Sequence, residues 1–183
     1  MDLGPEARTR ATRIRFLLLD VDGVLTDGRL LFDPGHPEDA GKAFHVRDGL
    51  GIRLAQAAGI DIGLLSGRDS AVVSRRARDL DIDEVHLGVG TVKLPAYLAL
   101  KDRLALPDDT FCYIGDDLVD LPILRRVGWP ATVADAHPEV LRHALVTGTL
   151  PGGAGAVREI IEALLDAQGT WERAVNRVIE GVR

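Results

Sequence analysis

The stretch that most constrains the fold is F-L-L-L-D-V-D-G-V-L-T-D-G, residues 16–28. The apolar run from Phe16 to Val21 is typical of a central parallel strand that is buried on both faces. Asp20 and Asp22 are two residues apart, so in an extended chain both side chains leave the same side of the strand, at its carboxyl end. Open α/β sheets bind their ligands at that edge.

Two carboxylates held this close together require a positive partner. Like charges repel by roughly 4 kcal/mol at about 4 Å and an effective dielectric near 20, and a divalent cation is the simplest counter-charge for Asp20 and Asp22. Alternatively, an aspartate after a strand only forms a turn or caps a helix, as we expect for Asp27. An EF-hand is excluded, because Gly23 is fourth in a loop that starts at Asp20 and Leu31 is twelfth.

Composition indicates one domain with an ordinary core. The chain has 183 residues, of which 46% are hydrophobic, and this length suits a single globular domain. A net charge of -6 argues against a nucleic-acid partner. The single cysteine, Cys112, cannot form an internal disulfide and is expected to be a packed thiol. No apolar run approaches the roughly 18 residues of a membrane span, and residues 1–13 lack a signal-peptide segment, so we expect a cytoplasmic enzyme.

Strand and helix patterns alternate along most of the chain. Further strands are predicted at 60–65, 85–87, 110–114, 131–133 and 145–146, with helices between them and two amphipathic helices at the end. Asp48 is a candidate N-cap for the first helix, which Gly59 ends. The alternation predicts a parallel, three-layer α/β sheet.

Two segments fall outside the alternating pattern. Residues 1–13 show no periodicity and are predicted to be a mobile N-terminal tail. Residues 28–32 and 42–46 are predicted to be the arms of a β-hairpin that projects from the sheet edge, around a turn-rich span at 33–41. The expected domain plan is a tail at 1–13, one α/β domain at 14–169 and a C-terminal helix or tail at 170–183.

Polar side chains follow several of the strands or begin the next helix. They are Asp20, Asp22, Ser66, Lys93, Asp116 and Asp117. Because the carboxyl ends of parallel strands meet at one edge, we expect these side chains to lie together. Each also has a simpler reading, since Ser66 could be only a helix cap and Lys93 only a surface cation. Asp117 and Asp120 could be only first-turn acids that the helix dipole favours.

Carboxylates around a cation, facing a hydroxyl, an ammonium and backbone N–H groups, match phosphoryl transfer. The cation and Lys93 would neutralise the phosphoryl oxygens, and Ser66 with the N–H groups near Gly67 would hold them. An aspartate would attack phosphorus in line, which splits hydrolysis into the formation and the breakdown of an aspartyl phosphate. Asp22 could protonate the leaving alcohol and then activate water.

Four motifs stand in order along the chain: D-V-D-G-V-L-T, S-G-R, Lys93 and G-D-D-L-V-D. In that order they resemble the motifs of the haloacid dehalogenase-like (HAD-like) phosphatases. The segments F-H-V-R-D-G-L-G-I, V-A-D-A-H-P and G-G-A-G-A-V-R-E are similar to the subgroup that contains 3-deoxy-D-manno-octulosonate 8-phosphate phosphatase. This similarity extends over residues 16–169, and the combination is specific although each short motif alone is not.

The resemblance implies a Rossmann-like (HAD-like) phosphatase domain that uses Mg²⁺, with Asp20 as nucleophile and Asp22 as general acid and base. Members of the subgroup are tetramers whose hairpins associate, which implies a homotetramer here. The implied metal ligands are the Asp20 carboxylate, the Asp22 backbone carbonyl and Asp116; the implied phosphate and substrate ligands are Ser66, Gly67, Arg68 and Lys93, and Asp117 and Asp120 would support the metal and the lysine.

The motif spacing leaves no room for a separate cap domain. Between Asp20 and Ser66, and between Ser66 and Asp116, only the hairpin and ordinary βα units fit. Because water must still be kept from the phosphoryl group, a neighbouring subunit is the expected cover. Candidates for contact with the rest of the substrate are Arg47, Arg68, Arg158 and His45, although a hairpin histidine is more often structural.

Several functions stay open at this level. The first choice is a magnesium-dependent phosphatase of 3-deoxy-D-manno-octulosonate 8-phosphate, ahead of a nonulosonate 9-phosphate or another sugar phosphate. A signalling receiver domain would carry its phosphorylated aspartate after a middle strand, where this chain has Ser66. A catalytically idle assembly or regulatory module, for instance beside a sugar nucleotidyltransferase, would usually have lost Asp20 or Asp22.

Overall fold

The computed structural model of the chain describes residues 1–33 and 36–181. Its strands are β1 (Phe16–Leu19), β2 (Leu31–Asp33), β3 (His36–Gly41), β4 (Asp61–Leu65), β5 (Glu84–His86), β6 (Phe111–Ile114), β7 (Trp129–Thr132) and β8 (Val146–Thr147). Six of them form one parallel sheet in the order β5-β4-β1-β6-β7-β8. The predicted parallel α/β sheet is therefore confirmed.

Helices cover both faces of this sheet. They are α1 (Pro5–Ala11), α2 (Val46–Ala58), α3 (Ala71–Asp79), α4 (Leu94–Leu104), α5 (Leu121–Leu124), α6 (Pro138–His143), α7 (Ala156–Ala167) and α8 (Trp171–Ile179). Alternate residues of β1 point to opposite faces, so Leu17 and Leu19 pack in the apolar cluster that includes α2, α7 and α8, while Phe16 and Leu18 pack in the cluster of α4, α5 and α6. Within the described residues, no helix is both long and apolar enough to cross a membrane.

The first strand lies at the centre of the sheet and places the acidic loop there. All four of its residues are buried, and β1 pairs with β4 on one side and with β6 on the other. The N–H of Asp20 still donates to the carbonyl of Ile114 at 2.9 Å. Asp20 therefore leaves the middle of the sheet at its carboxyl edge, between the ends of two neighbouring strands.

The predicted hairpin exists, but its second arm lies before the predicted one: β3 ends at Gly41, and residues 42–46 are not in a strand. β2 and β3 pair antiparallel, with Leu31 opposite Gly41, and β3 occupies much of the span that was predicted to be a turn. β2 and β3 form a two-stranded ribbon, so each is an edge strand. Proline is tolerated in an edge strand because one side of the strand makes no hydrogen bonds to a neighbouring strand. The predicted turn around residues 34–35 lies outside the described residues.

The N-terminal segment differs from the mobile tail predicted for residues 1–13. Residues 5–11 form α1, and Leu3, Ala7 and Ala11 are buried in the main apolar cluster. Ala7 and Ala11 are four residues apart on one face of α1, and Leu3 lies just before the helix. The indole Nε1 of Trp129 donates to the carbonyl of Ala7 at 2.9 Å. The small apolar stripe was missed because charged residues dominate the segment.

The helix after the hairpin begins earlier than the predicted cap at Asp48. His45 is its N-cap, and the His45 Nδ1 accepts the N–H of Arg47 at 3.2 Å. Asp48 is buried in the first turn, where its Oδ1 accepts the N–H of Arg158 at 2.8 Å. Asp48 thus joins α2 to α7. His45 caps the helix, which is a structural role. Gly59 ends the helix at a φ of 91°, as predicted.

Candidate active site

The site forms where β1, β4 and β6 end. Asp20 is only 5% exposed. Its Oδ1 accepts the N–H of Val21 at 2.7 Å, and its Oδ2 lies 2.7 Å from the Lys93 Nζ. Burial, followed by the nearby Asp120 carboxylate, raises the pKa of Asp20 well above its usual range, against the opposing effect of Lys93. The protein therefore holds a negative charge here only with the help of positive partners.

Lys93 is the described positive partner of this cluster. It lies at the N-cap position of α4 and is 3% exposed, and its ammonium contacts Asp20 at 2.7 Å and Asp120 at 2.8 Å. Burial alone would lower the pKa of Lys93, but the two carboxylates outweigh it and raise that pKa. The ammonium stays charged and links two loops that belong to different strands.

Asp120 organises the loop after β6. It is 0% exposed. Its Oδ1 accepts from Lys93 and from the hydroxyl of Tyr113 at 2.6 Å, and its Oδ2 accepts the N–H groups of Asp116 at 3.0 Å and Asp117 at 3.1 Å. Since four hydrogen bonds occupy both oxygens, Asp120 suits a supporting role better than a role as metal ligand.

Tyr113 is a site residue that sequence reasoning missed. It lies on β6 with no exposed surface, and the apolar run around it predicts only core packing. Burial first, and then the charge of Asp120, raises the pKa of the Tyr113 phenol well above its usual range. The phenol therefore remains a donor and keeps Asp120 oriented toward Lys93. The sequence signal that could have indicated this role is a tyrosine inside an apolar strand, because a buried tyrosine hydroxyl usually needs a hydrogen-bond partner.

Asp116 carries the strongest indication of a cation. Among the residues that the structure describes, its buried Oδ1 has no hydrogen-bond partner. Oxygens of Asp20, Asp116 and Asp120 all lie within 4.8 Å of one another. Burial, and then the neighbouring Asp120, raises the pKa of Asp116 to about 7. An unpaired buried carboxylate oxygen beside two other acids fits a hard divalent cation with oxygen ligands.

Glycine is required where the two acidic loops approach each other. A Cβ at Gly23 would lie 2.1 Å from the Oδ2 of Asp116, and the φ of Gly23 is +91°. Behind this loop, a Cβ at Gly152 would lie 1.8 Å from the carbonyl oxygen of Gly23, and the N–H of Gly153 donates to the carbonyl of Val24 at 3.0 Å. The 152–153 turn thus supports the loop that carries Asp20 and Asp22.

The phosphate loop follows β4, beside the acidic loop. Ser66 is buried, and its Oγ accepts the N–H of Arg68 at 3.2 Å. The carbonyl of Gly67 accepts the N–H of Gly90 at 3.0 Å, and a Cβ at Gly67 would lie 2.7 Å from the Gly90 oxygen. Because β4 pairs with β1 in register, with Leu64 beside Leu19, this loop leaves the sheet next to the loop of Asp20.

Two predicted site residues have partners that the sequence did not indicate. Asp22 is partly exposed, and its Oδ1 forms an ion pair with the Nζ of Lys42; its carboxylate is not in the group that Asp20 forms with Asp116 and Asp120. Asp117 is exposed, and its Oδ1 accepts the N–H of Leu118 at 2.7 Å. Asp117 therefore caps a short 3₁₀ turn, and its support of the metal stays a prediction.

The three candidate arginines differ in their surroundings. Arg68 is exposed beside the phosphate loop, and Arg47 is exposed in the first turn of α2. Arg158 pairs with Glu162, and its guanidinium lies 5.7 Å from the ring centroid of Trp171. Arg158 is therefore held by Glu162 of its own helix and by Trp171 at the start of α8, and Arg68 is the candidate that directly adjoins the site.

Comparisons with known proteins find extensive similarity, although no protein-family model matches the chain. The chain is 41% identical over 177 residues to the 3-deoxy-D-manno-octulosonate 8-phosphate phosphatase of Salmonella typhimurium, covering 97% of this chain and 93% of the relative.

Solved structures agree with this similarity. A protein described as a HAD superfamily (subfamily III A) hydrolase from Legionella pneumophila superposes with a TM-score of 0.91 and 41% identity, covering 96% of this chain and 94% of that one. The 3-deoxy-D-manno-octulosonate 8-phosphate phosphatase from Moraxella catarrhalis, solved in complex with a magnesium ion, a phosphate ion and a KDO molecule, has a TM-score of 0.89 and 34% identity, covering 94% and 98%.

The similarity extends over nearly the whole of each chain, and the four motifs lie on a parallel α/β sheet of the matching fold. The expected HAD-like fold is thereby confirmed, together with its activity class, a phosphatase. The chain belongs to the 3-deoxy-D-manno-octulosonate 8-phosphate phosphatase family of the HAD superfamily hydrolases.

Proposed function

We propose that this chain hydrolyses 3-deoxy-D-manno-octulosonate 8-phosphate with Mg²⁺ through an aspartyl phosphate on Asp20. The observation that carries this proposal is the buried array of Asp20, Lys93 and Asp120 beside the unpartnered Oδ1 of Asp116. The substrate assignment is supported by relatives of this name that align with nearly the whole chain. The metal assignment is supported by the relative whose structure holds magnesium.

The residues present fit Mg²⁺. The carboxylates of Asp20 and Asp116 and the backbone carbonyl of Asp22 would hold it, with Asp120 as the hydrogen-bonded support behind them. When bound, the ion supplies positive charge that neutralises the phosphoryl oxygens and the carboxylates. Lys93 supplies one further positive charge at the same place, and the Ser66 hydroxyl with the N–H groups near Gly67 would orient the phosphoryl group.

The chemical steps then fall to two aspartates. A carboxylate oxygen of Asp20 attacks phosphorus, the bond from phosphorus to the ester oxygen breaks, and Asp22 gives its proton to that oxygen, which leaves as an alcohol. In the second step Asp22 takes a proton from water, whose oxygen attacks phosphorus and releases Asp20 and inorganic phosphate. Asp20 is positioned for attack because its neighbours on both oxygens, Val21 and Lys93, fix the plane of the carboxylate.

Water has to be excluded from the phosphoryl group, and the described part of the chain has no cap domain that could do so. Between the motifs the structure has the hairpin and βα units, as predicted. On the hairpin, Leu31 is 61% and Phe32 73% exposed, which supports the expected association of hairpins in a homotetramer. The homotetramer and the cytoplasmic location stay predictions.

The alternatives are outcomes of one experiment. Purified full-length protein is assayed for phosphate release from the octulosonate 8-phosphate, a nonulosonate 9-phosphate, a neutral hexose 6-phosphate and p-nitrophenyl phosphate, with Mg²⁺ or with a chelator. We expect the highest kcat/KM for the octulosonate ester, and no turnover in chelator. A higher kcat/KM for another ester would replace the substrate, and no release from any ester would favour a receiver or an idle assembly module.

The affinity for Mg²⁺ is expected to rise with pH up to about 7. Burial and Asp120 raise the pKa of Asp116 to about 7, so at lower pH the ion must displace a proton from this carboxyl. Each pH unit below this value should therefore weaken binding up to roughly tenfold, with a plateau above it. Calorimetric Mg²⁺ titration of metal-free protein measures this dependence. The Asp116→Asn variant should bind weakly at every pH, and a wild-type affinity that is constant from acidic to neutral pH would contradict the prediction.

A further inference from the structure

Lys42 is a buried lysine to which the predicted chemistry assigns no role. Its side chain is 2% exposed, although it directly follows the last residue of the hairpin strand β3. Burying an ammonium is costly unless it is paired and hydrogen-bonded. The partner is the Oδ1 of Asp22, which belongs to the loop after β1. The base of the hairpin is therefore joined to the acidic loop through a pair that includes the proposed general acid.

The pair fixes how Asp22 presents its carboxyl group. The carboxylate of Asp22 is 25% exposed, so without a partner it could turn toward solvent. Among the described contacts, its hydrogen bond is made through Oδ1, which leaves Oδ2 for the reacting ester oxygen. A protonated carboxyl can still accept from Lys42 at Oδ1 while the proton is on Oδ2, so the same contact serves both halves of the reaction.

We infer that Lys42 is a positioning residue that holds Asp22 for proton transfer to the leaving alcohol. This inference rests on the proposed function. In the first step the proton on Oδ2 of Asp22 passes to the ester oxygen as its bond to phosphorus breaks, and the alcohol departs. Lys42 keeps its own protons and acts only through the orientation of Asp22. Because the ammonium comes from the hairpin, the position of the hairpin also controls the geometry of the general acid.

The leaving group provides a test that a merely structural role would not meet. An alkyl phosphate needs a proton on its leaving oxygen, whereas p-nitrophenyl phosphate loses a stable anion and depends little on a general acid. With the Mg²⁺-loaded full-length enzyme, Lys42→Met should lower kcat for the sugar-acid phosphate by roughly 10–100-fold, a part of the usual general-acid contribution. For p-nitrophenyl phosphate the loss should be at most about threefold. Lys42→Arg should recover part of the activity on the alkyl ester.

Two further variants complete the test. Lys101→Met is the matched control, since Lys101 pairs with Asp108 away from the site, and it should change neither rate. In an Asp22→Ala background, Lys42→Met should cause no further loss on the alkyl ester, because the group that it positions is absent.

Equal losses of kcat on both esters, or losses that multiply in the double variant, would overturn the inference. If Lys42→Met does not fold, the same ratio of rates is measured with Lys42→Gln, which also removes the charge, and a wild-type ratio there would also overturn it. A wild-type enzyme without activity on either ester would refute the proposed function and this inference together, whereas an active wild type with an unchanged ratio would refute the inference alone.

Discussion

The Asp20→Asn variant is expected to lose at least about 10⁴-fold in kcat, the scale seen when a nucleophile is removed. Asparagine keeps the shape of the side chain and an acceptor for the N–H of Val21, but its amide is far too weak a nucleophile to attack phosphorus. Steady-state phosphate release from the sugar-acid ester measures the loss. An activity within about tenfold of the wild type would remove Asp20 from the nucleophile role.

The fold of this variant should be intact, and its stability provides the control. Burial raises the pKa of Asp20, so the ionised carboxylate costs stability at neutral pH, and that cost disappears as the pH falls toward the ordinary pKa of an aspartate. The metal-free Asn variant should therefore be at least as stable as the wild type at pH 7, and the two should converge in acid. Asp83→Asn, at an exposed position, should leave both activity and melting temperature unchanged.

The sheet and its functional edge were predictable because they depend on local patterns. Three apolar runs are each followed by a polar residue at the end of a buried strand. These polar residues are Asp20, Ser66 and Asp116. Parallel strands bring such positions to one edge whatever the loops do. The carboxyl-edge cluster of Asp20, Lys93 and Asp116 was therefore readable from spacing alone, before any resemblance was considered.

What escaped prediction depends on contacts between distant segments. Lys42 and Asp22 are 20 residues apart, and nothing local to Lys42 indicates that its side chain is buried against the acidic loop. Tyr113 resembles an ordinary core residue until Asp120 lies beside its hydroxyl. Asp48 is a good helix cap by residue type, but the N–H of Arg158, 110 positions away, competes for it. Tertiary partners override local propensity in each of these cases.

The Lys93→Met variant is expected to lose both activity and stability. Methionine has a stem of similar length but no charge, so Asp20 and Asp120 would be left buried without their shared counter-charge. Removing one partner from a buried ion pair typically costs roughly 3–5 kcal/mol, and each kcal/mol lowers the Tm by about 2–4 °C for a chain of this size. Activity should fall by roughly 10²–10³-fold, since one positive contact to the transferred phosphoryl group is lost. Thermal unfolding and phosphate release measure the two effects.

The pH dependence and a double variant separate charge from packing. Burial raises the pKa of Asp20, and without the ammonium nothing opposes this rise, so the destabilisation should be small near pH 4 and grow as the pH rises toward 7. Replacing Asp20 by Asn in the Lys93→Met background removes one of the uncompensated charges, so the double variant should be more stable than Lys93→Met at neutral pH while remaining inactive. Two results would contradict this account: a stability loss in Lys93→Met that is the same at every pH, or a double variant that is no more stable than Lys93→Met. Either result would mean that Lys93 stabilises the fold by packing and not by its charge between Asp20 and Asp120.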